Sequence, residues 1–208
     1  MKYGPFHSIE ELVSSRRDVP AGRGSLLGHC NGTLMASWGE NLTRRFGPNA
    51  ASDLLVALGP DAAGLMLAPS KRDWIPVVAQ LRATELIVER HFAGSWSALY
   101  PALAEDTRRG SGRVALLLLR KLGPAKVLGY APRSFSRLYD RGVVEAEVSE
   151  RRATLRLSGA EFFGLRSWQL LQVFGQRVLI ELAGYQLERF SVSGDEDSCE
   201  LSLEWARR

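Results

Sequence analysis

Hydrophobic positions along the chain recur with two different periods. From Thr33 the spacing is helical: Leu34, Trp38, Leu42 and Arg45-Phe46 follow one another at three- and four-residue steps, and Gly47-Pro48 ends the run. A second helix is predicted over 49–58, closed by Gly59-Pro60. Ser70 is placed to cap a third, with Trp74, Val77, Val78, Leu81, Leu86 and Val88 as its apolar positions and Pro76 in its first turn. Further helices fit 96–108 and 113–122. Gly123-Pro124 opens a shorter one, and a last runs over 132–139 before Gly142.

The period then changes to two. Val144, Ala146 and Val148 alternate with Glu145 and Glu147, and after a turn at 149–152 Leu155 and Leu157 alternate with Thr154 and Arg156, which is a hairpin with one wet face. A long amphipathic helix is predicted over 165–183. Trp168, Leu171, Val178, Leu179 and Leu182 form its stripe, while Arg166, Gln169, Gln176 and Arg177 turn away. Two more strands close the chain. Cys199, Leu201, Leu203 and Trp205 share one face of the second, and the tip between them is Gly194-Asp195-Glu196-Asp197-Ser198. The expected fold class is α+β: a helical N-terminal lobe (33–142) packed on an antiparallel β-β-α-β-β sheet unit (143–208), the two forming a single domain. Residues 1–32 read as a poorly structured segment with one short helical candidate from Ser8, where Glu11 occupies the capping-box position.

A chain of 208 residues, 45% hydrophobic and 24% charged, can bury its own core, so disordered and collagen-like classes are excluded. No apolar run approaches the roughly 18 residues of a bilayer span, no secretory leader is evident, and two cysteines give no disulfide framework. A cytoplasmic protein without a membrane partner is expected. The net charge is +4, and the arginine pairs Arg16-Arg17, Arg44-Arg45, Arg108-Arg109, Arg151-Arg152 and Arg207-Arg208 are short and lack interleaved aromatics. Nucleic-acid binding is therefore not expected.

Candidate chemistry is sparse. The stretch Gly22-Arg23-Gly24-Ser25-Leu26-Leu27-Gly28 misses the dinucleotide fingerprint because Leu27 stands where the third glycine belongs, and it reads as a loop. His7, His29 and His91 have no zinc-type spacing to Cys30 or Cys199; His91 is the one histidine placed, after the third helix, where an axial haem ligand is conceivable. There is no G-x-S-x-G elbow, and the acids at 195–197 lack the closing glutamate of a calcium loop. Cys199 reads as a small buried hydrophobe. An enzyme is not expected. The aromatics are spread over nearly every element, and their polar edges suit both cores and apolar ligand pockets.

The run from Leu122-Gly123-Pro124 through Ala131-Pro132-Arg133, Leu138-Tyr139-Asp140 and Gly142 to the Glu/Val hairpin, with Trp74-Ile75-Pro76 upstream and Gly194-Asp195 to Cys199-Glu200-Leu201 downstream, resembles a family of proteins of about this length that is abundant as paralogues in myxobacteria. That family is distantly similar to vinyl-4-reductase-type small-molecule-binding domains and to haem nitric-oxide-binding domains. The resemblance implies a helical lobe on an antiparallel sheet, a cavity between them, and dimerisation. The chain lacks the Tyr-x-Ser-x-Arg signature of haem-binding relatives and the cysteine cluster of zinc-binding ones, so neither haem nor zinc is expected. The resulting expectation is a non-enzymatic regulatory or sensory homodimer that binds a small apolar ligand or a protein partner, with Trp74, Tyr100 and Tyr139 as ligand-binding residues. A ligand-free scaffold and a DNA-binding regulator are the alternatives.

Overall fold

The computed structural model describes residues 2–15, 27–62, 64–65 and 68–208. Strands β4 (Val143–Val148), β5 (Arg152–Ser158), β6 (Tyr185–Gly194) and β7 (Ser198–Arg207) and the helix α8 (Arg166–Leu182) form the expected β-β-α-β-β unit. A fifth strand, β1 (Tyr3–Phe6), extends the sheet to the order β1-β6-β7-β5-β4, with every pairing antiparallel. Register places Leu157 opposite Cys199, Leu155 opposite Leu201 and Ala153 opposite Leu203, so one face of the sheet is apolar and buried. On the other face Arg156 pairs with Glu147 and Glu200, and Arg152 with Glu204. A one-residue slip would exchange these faces, which is what fixes the register.

Helix α8 lies on the apolar face and is covered on almost every side, by β6 and β7, by α1 (Ile9–Ser14), α4 (Val77–His91), α5 (Trp96–Gly110) and α6 (Arg113–Gly129). This burial explains one departure from expectation. Gln169 was expected to face water, yet it is buried, its Nε2 donating to the Phe163 carbonyl at 2.7 Å and to the Tyr3 hydroxyl. The N-terminal segment supplies the cover. Within it Ser8 Oγ accepts from the Glu11 N–H at 3.1 Å, capping α1 as expected. The glycine-rich stretch falls largely on residues 16–26, outside the described residues.

The helical lobe begins with β2 (His29–Asn31) and a 3-10 turn over Gly32–Met35, followed by α2 (Trp38–Phe46) and α3 (Ala50–Leu58). Trp74 is not helical: Trp74–Pro76 forms β3, paired antiparallel with β2. Proline disfavours helix in the residue before it, so α4 starts at Val77. Ser70 starts a turn instead of capping a helix, its N–H donating to Asp73 Oδ2 at 2.6 Å. At Gly123, φ +72 breaks α6 into two arms. After α6 comes α7 (Ala131–Leu138), and Asp140 then holds β2 in place by accepting from the His29 N–H at 2.6 Å and pairing with its Nδ1 at 2.9 Å.

Phe135, Tyr139, Phe162, Phe163 and Trp168 pack together where α7, the 3-10 turn Glu161–Gly164 and the start of α8 meet. Their ring centroids lie 4.7 to 6.3 Å apart in tilted, stacked and edge arrangements. Both cysteines are buried free thiols, and burial pushes Cys30 and Cys199 up to about 12. Only the thiolate is nucleophilic, and it is present at roughly 10⁻⁴ of the total near pH 8. Neither thiol is expected to react with an aromatic disulfide reagent until the chain is unfolded in guanidinium; rapid labelling of the folded chain would contradict this.

Candidate functional site

The helical lobe holds a cavity of ≈ 310 Å³, bounded by the 3-10 turn Gly32–Met35 and by α2, α4, α5 and α8. That is the lower end of the roughly 300–1,000 Å³ typical of small-molecule sites. The walls are chiefly apolar, with Leu42 from α2, Ile87 from α4, Leu99 and Leu103 from α5, and Leu171 from α8. Each side chain arrives there through the helical spacing of its own element, since α2 and α5 both direct an apolar stripe inward.

The rim is ionic. Arg44 Nη2 lies 2.6 Å from Asp106 Oδ1, and Arg45 Nη2 lies 2.8 Å from both Glu105 and Asp106 while also donating to the Ala102 carbonyl at 3.1 Å. These bonds tie α2 to α5 across some sixty residues of sequence. The hydrogen bond from Arg45 holds the Glu105 carboxyl below its usual range, and Asp106 raises Arg45 further, so the rim stays charged.

Inside, two polar atoms are left over. Gln80, 8% exposed, has a buried carboxamide oxygen with no hydrogen-bond partner, and the Nε of Arg45 is likewise buried and unpartnered. Both residues line the cavity. A buried polar atom without a partner costs about 1–3 kcal/mol, which a bound hydroxyl or amide would return. Sequence reasoning passed over both residues. The available signal was a lone amide inside the apolar run Val77 to Leu81.

The three aromatic candidates are placed separately. Trp74 is 46% exposed on β3. Tyr100 on α5 lies under the Arg177 guanidinium, 4.0 Å from ring centroid to cation, and burial raises its phenol. Tyr139 belongs to the aromatic cluster after α7. Among the described residues no ring contact joins the three.

A helical lobe on this antiparallel unit is the fold of the haem nitric-oxide-binding, or H-NOX, domains. The chain is similar to the Fe(II) unliganded H-NOX protein from K. algicida, with a TM-score of 0.57 and 8% identity over 86% of this chain and 97% of that one. A second solved structure, from work on modulating haem redox potential through protein-induced porphyrin distortion, aligns at a TM-score of 0.47 and 14% identity over 84% of this chain and 98% of that one. No protein-family model matches the chain, and no curated protein matches it in sequence.

The expectation that no cofactor is involved is corrected at the level of the fold, because the K. algicida protein that shares this architecture is an H-NOX protein, of the haem nitric-oxide-binding kind. A histidine-held haem requires a neutral histidine at a cavity large enough for the porphyrin. His7 is exposed, and His29 is engaged by Asp140. His91 stacks on Phe46 at 4.0 Å beside a separate cavity of ≈ 250 Å³, where burial lowers its pKa and favours the neutral imidazole that an iron would need. That cavity falls below the small-ligand range, and no histidine lines the larger one. As arranged, these residues do not fit a porphyrin. Among the described residues no group of three His, Cys, Asp or Glu side chains could hold a metal ion.

Proposed function

We propose that the chain is a non-enzymatic sensory domain that binds a small, largely apolar ligand carrying one hydrogen-bonding group in the cavity between α2, α4, α5 and α8. The observation that carries this reading is the buried, unpartnered carboxamide oxygen of Gln80 in a chiefly apolar wall. The H-NOX-like fold supports a sensory, ligand-binding role. In such a domain the apolar walls supply affinity, and Gln80 with Arg45 sets orientation and selects against ligands that leave them unpaired.

Native mass spectrometry of the purified chain is expected to show a co-purifying small molecule that is absent from Ala102→Trp, which fills the cavity from the α5 wall. Gln80→Leu is expected to weaken retention about tenfold, the value of roughly one buried hydrogen bond. The same spectrum reads oligomeric state, where the homodimer implied by the resemblance would appear at twice the chain mass. A Soret band that is lost in His91→Ala would instead place a haem at α4 and defeat the apolar-ligand reading.

A further inference from the structure

The first arm of α6, from Arg113 to Leu122, is the most leucine-rich stretch of the chain, yet none of its residues is fully buried and only Leu116 and Leu119 are half-buried among its leucines. The buried residues of α6 are Pro124 and Leu128, both in the second arm. Val114 is 71% exposed, Leu117 65%, Leu118 52% and Leu122 39%. Their positions, at i, i+3, i+4 and i+8, form one apolar stripe that faces water. Tyr130, at the corner between α6 and α7, is 55% exposed as well.

The charge around this stripe is one-sided. Residues 107–141 hold nine basic side chains and one acid, Asp140, a net +8 in a chain of net +4, which leaves the rest of the molecule at −4. Asp140 is committed to His29. Among the described residues, Arg113, Arg120, Lys121, Lys126, Arg133 and Arg137 make no ion pair. The outer face of the sheet carries the opposite balance, with Glu145, Glu147, Glu200 and Glu204 against Arg152 and Arg156.

We propose that the α6–α7 face docks on an anionic lipid surface, with the stripe of Val114, Leu117, Leu118 and Leu122 seated at the headgroup boundary and the flanking arginines and lysines on lipid phosphates. A helix with an apolar stripe and cationic flanks lies in the interface plane, and the long basic side chains reach back to the headgroups. Lys121 sits within the stripe and does this at no cost to the seating of its neighbours. The occupant follows from complementarity. A second copy of this face would bring +8 against +8, whereas a nucleic acid would answer the charge and leave the leucines wet. Among the described residues no helix is long and apolar enough to cross a membrane, so the contact is one of lying on the surface.

Sedimentation of the full chain with phosphatidylglycerol vesicles and with phosphatidylcholine vesicles tests the proposal. Binding to the anionic vesicles is expected to exceed binding to the zwitterionic ones by at least about tenfold and to weaken with salt, since each surface charge is worth on the order of fivefold in partitioning. Leu117→Asp with Leu118→Asp, and separately Arg120→Glu with Lys121→Glu, are each expected to lower that binding by about tenfold or more. Neither pair should alter thermal unfolding, because none of the four residues is buried. A wild-type chain that ignores phosphatidylglycerol overturns the proposal. So does a dimer that the leucine pair dissociates, or binding to duplex DNA that the charge pair abolishes and the leucine pair leaves intact.

Discussion

Gly142→Ala is expected to lose about 2–5 kcal/mol of unfolding free energy, read as a lower denaturant midpoint at unchanged slope. Two costs combine. Gly142 has φ +88, a left-handed conformation that any side chain resists by about 1–2 kcal/mol. An added Cβ would also stand 2.4 Å from Cζ and 2.7 Å from Cε2 of Phe163, inside any permissible contact. Phe163 has nowhere to go: it is fully buried, with ring centroids of Phe162 at 4.7 Å, Trp168 at 4.9 Å and Phe135 at 5.6 Å. Overpacking a filled site of this kind costs a further 1–3 kcal/mol or so. Gly175→Ala is the control. It is helical with open space around its Cβ position, and gains up to about 1 kcal/mol from propensity. Equal stability of wild type and Gly142→Ala would mean that the aromatic cluster is not fixed.

The contrast between these glycines shows where sequence reading succeeds. A stop near Gly142 is legible because glycine past an apolar periodic run marks one, although α7 itself ends at Leu138, and the sheet unit beyond it is legible because period two persists through strands of six to ten residues. Strand β1 has four residues, two of them Gly4-Pro5, and β3 has three, so neither offers a period to read. Trp74 consequently reads as helical in the sequence, although it lies in β3. The pattern of α8 taken alone points Gln169 to water, and its burial against the Phe163 carbonyl and the Tyr3 hydroxyl depends on residues distant in sequence or outside the helix.

The site was harder still. Its rim joins Arg44-Arg45 to Glu105 and Asp106, a proximity that belongs to tertiary structure and leaves no local mark. Large aromatics such as Trp74, Tyr100 and Tyr139 stand out in a sequence as pocket candidates, whereas the burial of a lone amide such as Gln80 shows only in the fold. A fold is preserved by its pattern of buried positions and can be shared at 8% identity, as the K. algicida structure shows, so the absence of signature residues does not argue against the architecture. Arginine pairs taken one by one do not reveal the basic face. Counted by segment, the imbalance over 107–141 is plain, and only the fold shows that the leucines between those charges are left uncovered.

Trp168→Ala carries the other large effect, a loss of about 3–5 kcal/mol. The indole is 1% exposed and lies 4.9 Å from Phe163, 5.6 Å from Phe162 and 6.3 Å from Tyr139 between ring centroids, so its removal leaves a void walled by aromatics that cannot collapse together. Such a void is apolar and stays dry, which makes it a receptor for the fragment removed. Added indole is therefore expected to raise the melting temperature of Trp168→Ala with increasing concentration and to leave the wild type unmoved, because only the folded variant offers the site. A variant as stable as wild type, or one that indole does not rescue, would show that the rings are not close-packed. Trp168 and the cavity wall residue Leu171 stand one turn apart on α8, so the helix that walls the cavity also anchors the aromatic cluster that the variant opens.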